Sequence, residues 1–101
     1  MHSNQSYIEV NVKFLFGLEK GLPLKNRQTN IKISQPFTVQ HLIEVLEKMY
    51  PKLKENIRYK GEFVPYLNIV VNGCEILPIQ AGNKELREGD QIVLMYVGVG
   101  G

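Results

Sequence analysis

Tryptophan is absent from this chain of 101 residues, cysteine occurs once, histidine twice, and charges of the two signs nearly balance. Each shortage removes a class of function. A single cysteine, Cys74, cannot close an intramolecular disulfide, which fits a reducing cytoplasm. His2 and His41 have no cysteine or second histidine at ligand spacing, so no metal site is expected. With 12 basic and 10 acidic residues scattered along the chain, the net charge of +2 lacks the clustering that nucleic-acid backbones require. No apolar run approaches the roughly 20 residues of a membrane helix. The lead Met1-His2-Ser3-Asn4-Gln5-Ser6 lacks the basic and apolar regions of a secretory signal. Neither GxxxxGK[ST] nor GxGxxG occurs, so any ATP would be held by a partner.

What is present is enough apolar residue, 44%, for the core of one domain. Residues 1–6 read as a disordered polar lead, 7–97 as the domain and 98–101 as a flexible tail. From Tyr7 to Phe16, Ile8, Val10, Val12, Phe14 and Phe16 alternate with Glu9, Asn11 and Lys13, the period of a strand with one buried face. Thr29 to Ser34 alternates again. Thr38 is placed to cap a helix running to Tyr50 and stopped by Pro51, with Leu42, Ile43, Leu46, Met49 and Tyr50 as its packed stripe. Glu44, Glu47 and Lys48 read as its solvated face, with Glu44 and Lys48 at pairing distance.

Lys52 to Tyr66 gives no clean period and reads as loop with a helical turn near Leu53 to Ile57. Leu67 to Val71 is strand-like, Asn72-Gly73 is a preferred two-residue hairpin turn, and Cys74 to Leu77 is the return. Cys74 has no basic cluster beside it in sequence, so packing is expected of it rather than sulfur chemistry. Lys84-Glu85-Leu86 suggests a turn of helix, and Glu88-Gly89-Asp90 a tight turn into a final strand, Ile92 to Val97. The economical arrangement is an α+β domain: a mixed sheet with its first and last strands parallel and adjacent, and one main helix on one face. The core then comprises Ile8, Val10, Val12, Phe14, Ile31, Leu42, Leu46, Ile69, Val71, Ile92 and Leu94.

The same alternation points Val70, Val93 and Met95 away from the helix, an outward apolar patch of the kind that marks protein interfaces, bordered by Glu9, Asn11 and Lys13. The final strand runs into Gly98-Val99-Gly100-Gly101. Glycine has no Cβ to stop a backbone entering a narrow cleft, so this tail suits presentation of a carboxylate to another enzyme.

The element order, the Asn72-Gly73 hairpin, the stretch Leu86-Arg87-Glu88-Gly89-Asp90-Gln91-Ile92 and the terminal Gly100-Gly101 resemble the MoaD/ThiS family of ubiquitin-like sulfur carriers, from about Tyr7 onward. The resemblance implies the β-grasp fold of ubiquitin and a protein that is not itself a catalyst. It implies that an E1-like activating enzyme of the MoeB/ThiF type, using ATP and magnesium, adenylates the carboxylate of Gly101. Sulfur then replaces one oxygen, Gly100 making room, and the thiocarboxylate passes to a molybdopterin synthase large subunit or another acceptor. Val70, Val93, Met95, Val97, Gly98 and Val99 would touch these partners. Length favours the molybdopterin small subunit, whereas Tyr96-Val97 stands where such subunits commonly carry a proline pair. Thiamine synthesis, tRNA thiolation and conjugation to target-protein lysines, as by archaeal small modifiers, are the related alternatives. A β-grasp binding module with incidental glycines is the remaining one.

Overall fold

The computed structural model describes residues 6–97; the expected lead before Ser6 and tail from Gly98 onward lie outside the described residues. Strand β1, Tyr7–Leu15, buries Ile8, Val10, Val12 and Phe14 and exposes Glu9 and Lys13, as its alternation requires. It stops one residue before the expected end. Phe16 takes a left-handed φ of 54° and is 69% exposed, because the chain turns there into Gly17 at φ 107°. After a loop that buries Leu18 comes β2, Gln28–Ser34, antiparallel to β1.

Helix α1, Val39–Met49, starts where Thr38 Oγ1 accepts a hydrogen bond from the His41 N–H at 3.1 Å. It buries Val39, Leu42, Ile43 and Leu46. Met49, expected on this stripe, is 49% exposed at the last residue of α1, two positions before Pro51 begins a second helix. Helix α2, Pro51–Ile57, occupies the expected loop. Proline suits the first helical position, and Leu53 and Ile57, four residues apart, are fully buried. Two short strands follow, β3 (Arg58–Tyr59) and β4 (Glu62–Phe63), joined through Lys60 and Gly61, both at positive φ.

Strands β5, Leu67–Val71, and β6, Cys74–Ile76, form the expected hairpin. Asn72 and Gly73 have φ of 50° and 85°, a combination that favours Asn-Gly. The last strand, β7, is Gln91–Tyr96. Between β6 and β7, Lys84 to Leu86 is not helical: Glu85 bridges Thr38, and the Leu86 N–H donates to the Phe37 carbonyl at 2.8 Å, carrying Leu86 into the core.

The main sheet has the order β2-β1-β7-β5-β6, with β1 and β7 parallel and every other neighbour pair antiparallel. Helices cover one face. This is the ubiquitin-like β-grasp arrangement, with two helices where one main helix was expected. All eleven expected core residues are buried, joined by Leu18, Ile33, Val39, Ile43, Leu53, Ile57, Val64, Leu67, Ala81 and Leu86.

One polar side chain lies in this packing. Glu47, expected on the solvated face of α1, is only 7% exposed because Arg58 closes over it, with Nε donating to Oε2 at 2.7 Å and Nη2 to Oε1 at 3.2 Å. Arg58 also donates to the Gly61 carbonyl and lies 3.9 Å above the Phe63 ring, so one guanidinium ties the β3-β4 hairpin to α1. The carboxylate of Glu44 accepts from the Gln40 amide at 3.3 Å rather than pairing with Lys48.

Candidate functional site: the open sheet face and the end of β7

The face of the sheet away from the helices follows from strand register. Lys13 on β1 stands beside Val93 on β7, Val93 beside Val70 on β5, and Val70 beside Glu75 on β6. One step along β1, the next outward row is Leu15, Met95 and Asn68. Val70, Val93, Met95 and Leu15 are all half-buried, so the two rows make one apolar patch centred on β7. The sequence-predicted trio is therefore brought together. Leu15 belongs with it and went unrecognised, although it follows the inward Phe14 and must point out. Asn11, on the border, donates from its amide to Asn30 Oδ1 at 2.8 Å.

Beyond the patch, β7 is held to its last residue. The Tyr96 ring meets Tyr66 edge to face, with centroids 5.2 Å apart and planes at 65°, and its hydroxyl donates to the Asn56 carbonyl at 2.8 Å. The Val97 N–H donates to the Tyr66 carbonyl at 2.8 Å, and Val97 itself is 44% exposed. A Cβ on Gly17 would come within 3.1 Å of the Tyr96 ring, so glycine permits that close approach. The expected site residues Gly98, Val99, Gly100 and Gly101 lie outside the described residues.

Burial, and secondarily the neighbouring Tyr66, pushes the Tyr96 phenol above the usual tyrosine value. A pKa raised by folding means that the neutral phenol's contribution is complete below the unfolded value of about 10 and is lost as pH climbs through the folded value. Tyr96→Phe keeps the ring and removes the hydroxyl bond, so it is expected to cost about 0.5–1.5 kcal/mol in urea unfolding at neutral pH. Zero loss would show that water satisfies the Asn56 carbonyl equally well.

Other sequence candidates are scattered. Cys74 opens β6, the edge strand of the sheet, with its side chain exposed, contrary to the expected packing role. His41 sits in the first turn of α1, and among the described residues no three His, Cys, Asp or Glu side chains gather as metal ligands. No helix among them is long and apolar enough to cross a membrane.

Residues 21–101 match the ThiS family model. The chain belongs to the ThiS family. It is a family of small sulfur carriers and ubiquitin-like modifiers. A protein of Archaeoglobus fulgidus assigned as a sulfur carrier is 29% identical over 82 residues, covering 79% of this chain and 93% of the relative. Among solved structures, small archaeal modifier protein 1 of Methanosarcina acetivorans superposes with a TM-score of 0.76 at 24% identity, covering 94% of this chain and 98% of that one. A Pyrococcus furiosus protein assigned as molybdopterin converting factor subunit 1 gives 0.68 at 24% identity, covering 89% and 98%. Both likenesses give this ThiS-family chain the fold already described.

Proposed function

We propose that this chain is a sulfur carrier whose Gly101 α-carboxylate is adenylated and thiocarboxylated by an E1-like activating enzyme holding ATP and magnesium, and that it serves molybdenum or tungsten cofactor synthesis. A carboxylate resists nucleophiles at neutral pH. Attack by one of its oxygens on the α-phosphorus of ATP releases pyrophosphate and leaves an acyl-adenylate. Hydrosulfide then adds to the acyl carbon, AMP departs with the electron pair of the broken C–O bond, and loss of the S–H proton leaves the thiocarboxylate. The resulting thiocarboxylate is consumed by a synthase subunit such as the large subunit of molybdopterin synthase. Gly100 and Gly98 leave the tail narrow enough for a cleft, Val99 gives it one side chain to grip, and the side chains of the folded domain bind rather than react.

The observation that carries the reading is the apolar face of Leu15, Val70, Val93 and Met95, centred on the very strand that continues in sequence through Val97 into Gly98-Val99-Gly100-Gly101. A partner docked there is anchored beside the root of the tail. The family match, which extends through the glycines, supports the same reading. The assignment of the Pyrococcus relative supports the molybdopterin reading, with thiamine synthesis and tRNA thiolation as its alternatives. The likeness to small archaeal modifier protein 1 favours a second use of the same acyl-adenylate, attack by a target-protein lysine amine to give an isopeptide.

The test is ATP–pyrophosphate exchange by the host's purified E1-like enzyme with this chain added. Exchange that depends on the chain is expected; none would contradict the reading. Met95→Asp, which places a carboxylate in the apolar contact, is expected to weaken binding about 10- to 100-fold by calorimetry while the melting temperature holds. Unchanged affinity would remove the patch from the interface.

A further inference from the structure

The open face carries a cation and an anion on opposite sides of its apolar centre, neither of them across from a charge of the other sign. Across one row of the sheet the order is Gln28, Lys13, Val93, Val70, Glu75. Lys13 is flanked by Gln28 and Val93 across the sheet and by Asn11 and Leu15 along its own face, all neutral. Glu75 is flanked by Val70 and, along its chain, by Gly73 and Leu77, also neutral. Both are exposed. The ion pairs among the described residues are Lys52–Glu55 and Arg58–Glu47, so neither Lys13 nor Glu75 is in one. Glu9 and Lys32 stand directly across from each other on β1 and β2, and the Glu88 carboxylate accepts from the Glu9 N–H at 3.0 Å beside them. Lys13 and Glu75 are three strand spacings apart, about 14 Å, with two valines between them. They do not cancel.

An apolar contact has no direction of its own. A partner seated on Val70 and Val93 alone could lie turned end for end, and only one orientation puts its adenylating centre at the tail. We propose that Lys13 and Glu75 fix that orientation, the activating enzyme bringing a carboxylate to the Lys13 side and a cationic side chain to the Glu75 side of the valine contact. This rests on the sulfur-carrier reading above and adds to it the chemistry of the partner's footprint. Exposed rim charges act mainly on the rate of association and its salt dependence.

The experiment measures association of the full chain with the host's purified E1-like enzyme by stopped flow, at low and high sodium chloride. Lys13→Glu combined with Glu75→Lys leaves net charge at +2 and reverses only the polarity of the face. It is expected to slow association at low salt by about tenfold, with the difference shrinking at high salt. The same exchange on the helix side, Lys48→Glu with Glu62→Lys, is expected to leave the rate unchanged. Thermal melts show whether each variant is folded. A double reversal that associates as fast as wild type overturns the inference and leaves the proposed function standing, as does a helix-side exchange that slows association equally. Wild-type chain that fails to bind the enzyme at all overturns both.

Discussion

Deleting Gly101 is expected to abolish chain-dependent ATP–pyrophosphate exchange while leaving affinity for the activating enzyme within a small factor of wild type. The deletion withdraws the reacting carboxylate by one extended residue, about 3.3–3.6 Å. Misplacement by 1 Å can already cost about 100-fold, so activity below about 1% of wild type is expected. Gly100→Leu should act in the same direction by a different route, filling the cleft rather than falling short of it. Neither change touches the core, which runs from Ile8 to Leu94, so the melting temperature should hold. Leu15, Val70, Val93 and Met95 remain to bind, and the loss should therefore fall on turnover rather than on affinity. A truncated chain that supports wild-type exchange would make the glycines incidental and leave a β-grasp binding module.

Arg58→Ala is the substitution expected to cost the fold most among charged residues. It strips Glu47 of both short contacts and leaves a carboxylate in a nearly closed site, a loss of about 3–5 kcal/mol for a buried pair broken on one side. It also removes the donor to Gly61 and the cation above Phe63, freeing the β3-β4 hairpin. Urea unfolding measures the loss directly. Replacing both partners, Glu47→Met with Arg58→Met, should recover most of it, because no unpaired charge remains. If Arg58→Ala alone costs under about 1 kcal/mol, water reaches Glu47 and the pair is an ordinary surface one.

The strands were legible wherever one face is buried and the other is wet. In β1 and β7 that alternation named the core side, the outward side and, with the parallel pairing, the patch. Asn72-Gly73 announced its own turn because few residues tolerate two successive positive φ values. Glu47, Lys84 to Leu86 and Tyr96 share a cause of failure: a partner distant in sequence overrides the local pattern. Glu47 looks solvated on a helical wheel, and only the return of the chain through α2 puts Arg58 over it. Leu53 to Ile57 suggested only a helical turn within a loop, since a stripe of two residues among lysines is too short to show the full helix α2. Lys84 to Leu86 has helical composition but is held extended by Thr38 and Phe37. The Tyr96 clamp was invisible for the same reason, since Asn56 and Tyr66 come from segments that showed no pattern.

The central claim is that Gly101 carries the sulfur, and intact mass spectrometry of the chain purified from its own host tests it most directly. The account predicts a population heavier by one oxygen-to-sulfur exchange, with the added mass confined to the peptide containing Gly100 and Gly101. A single unmodified mass under growth conditions that demand the cofactor, or an exchange located anywhere other than that peptide, would contradict it.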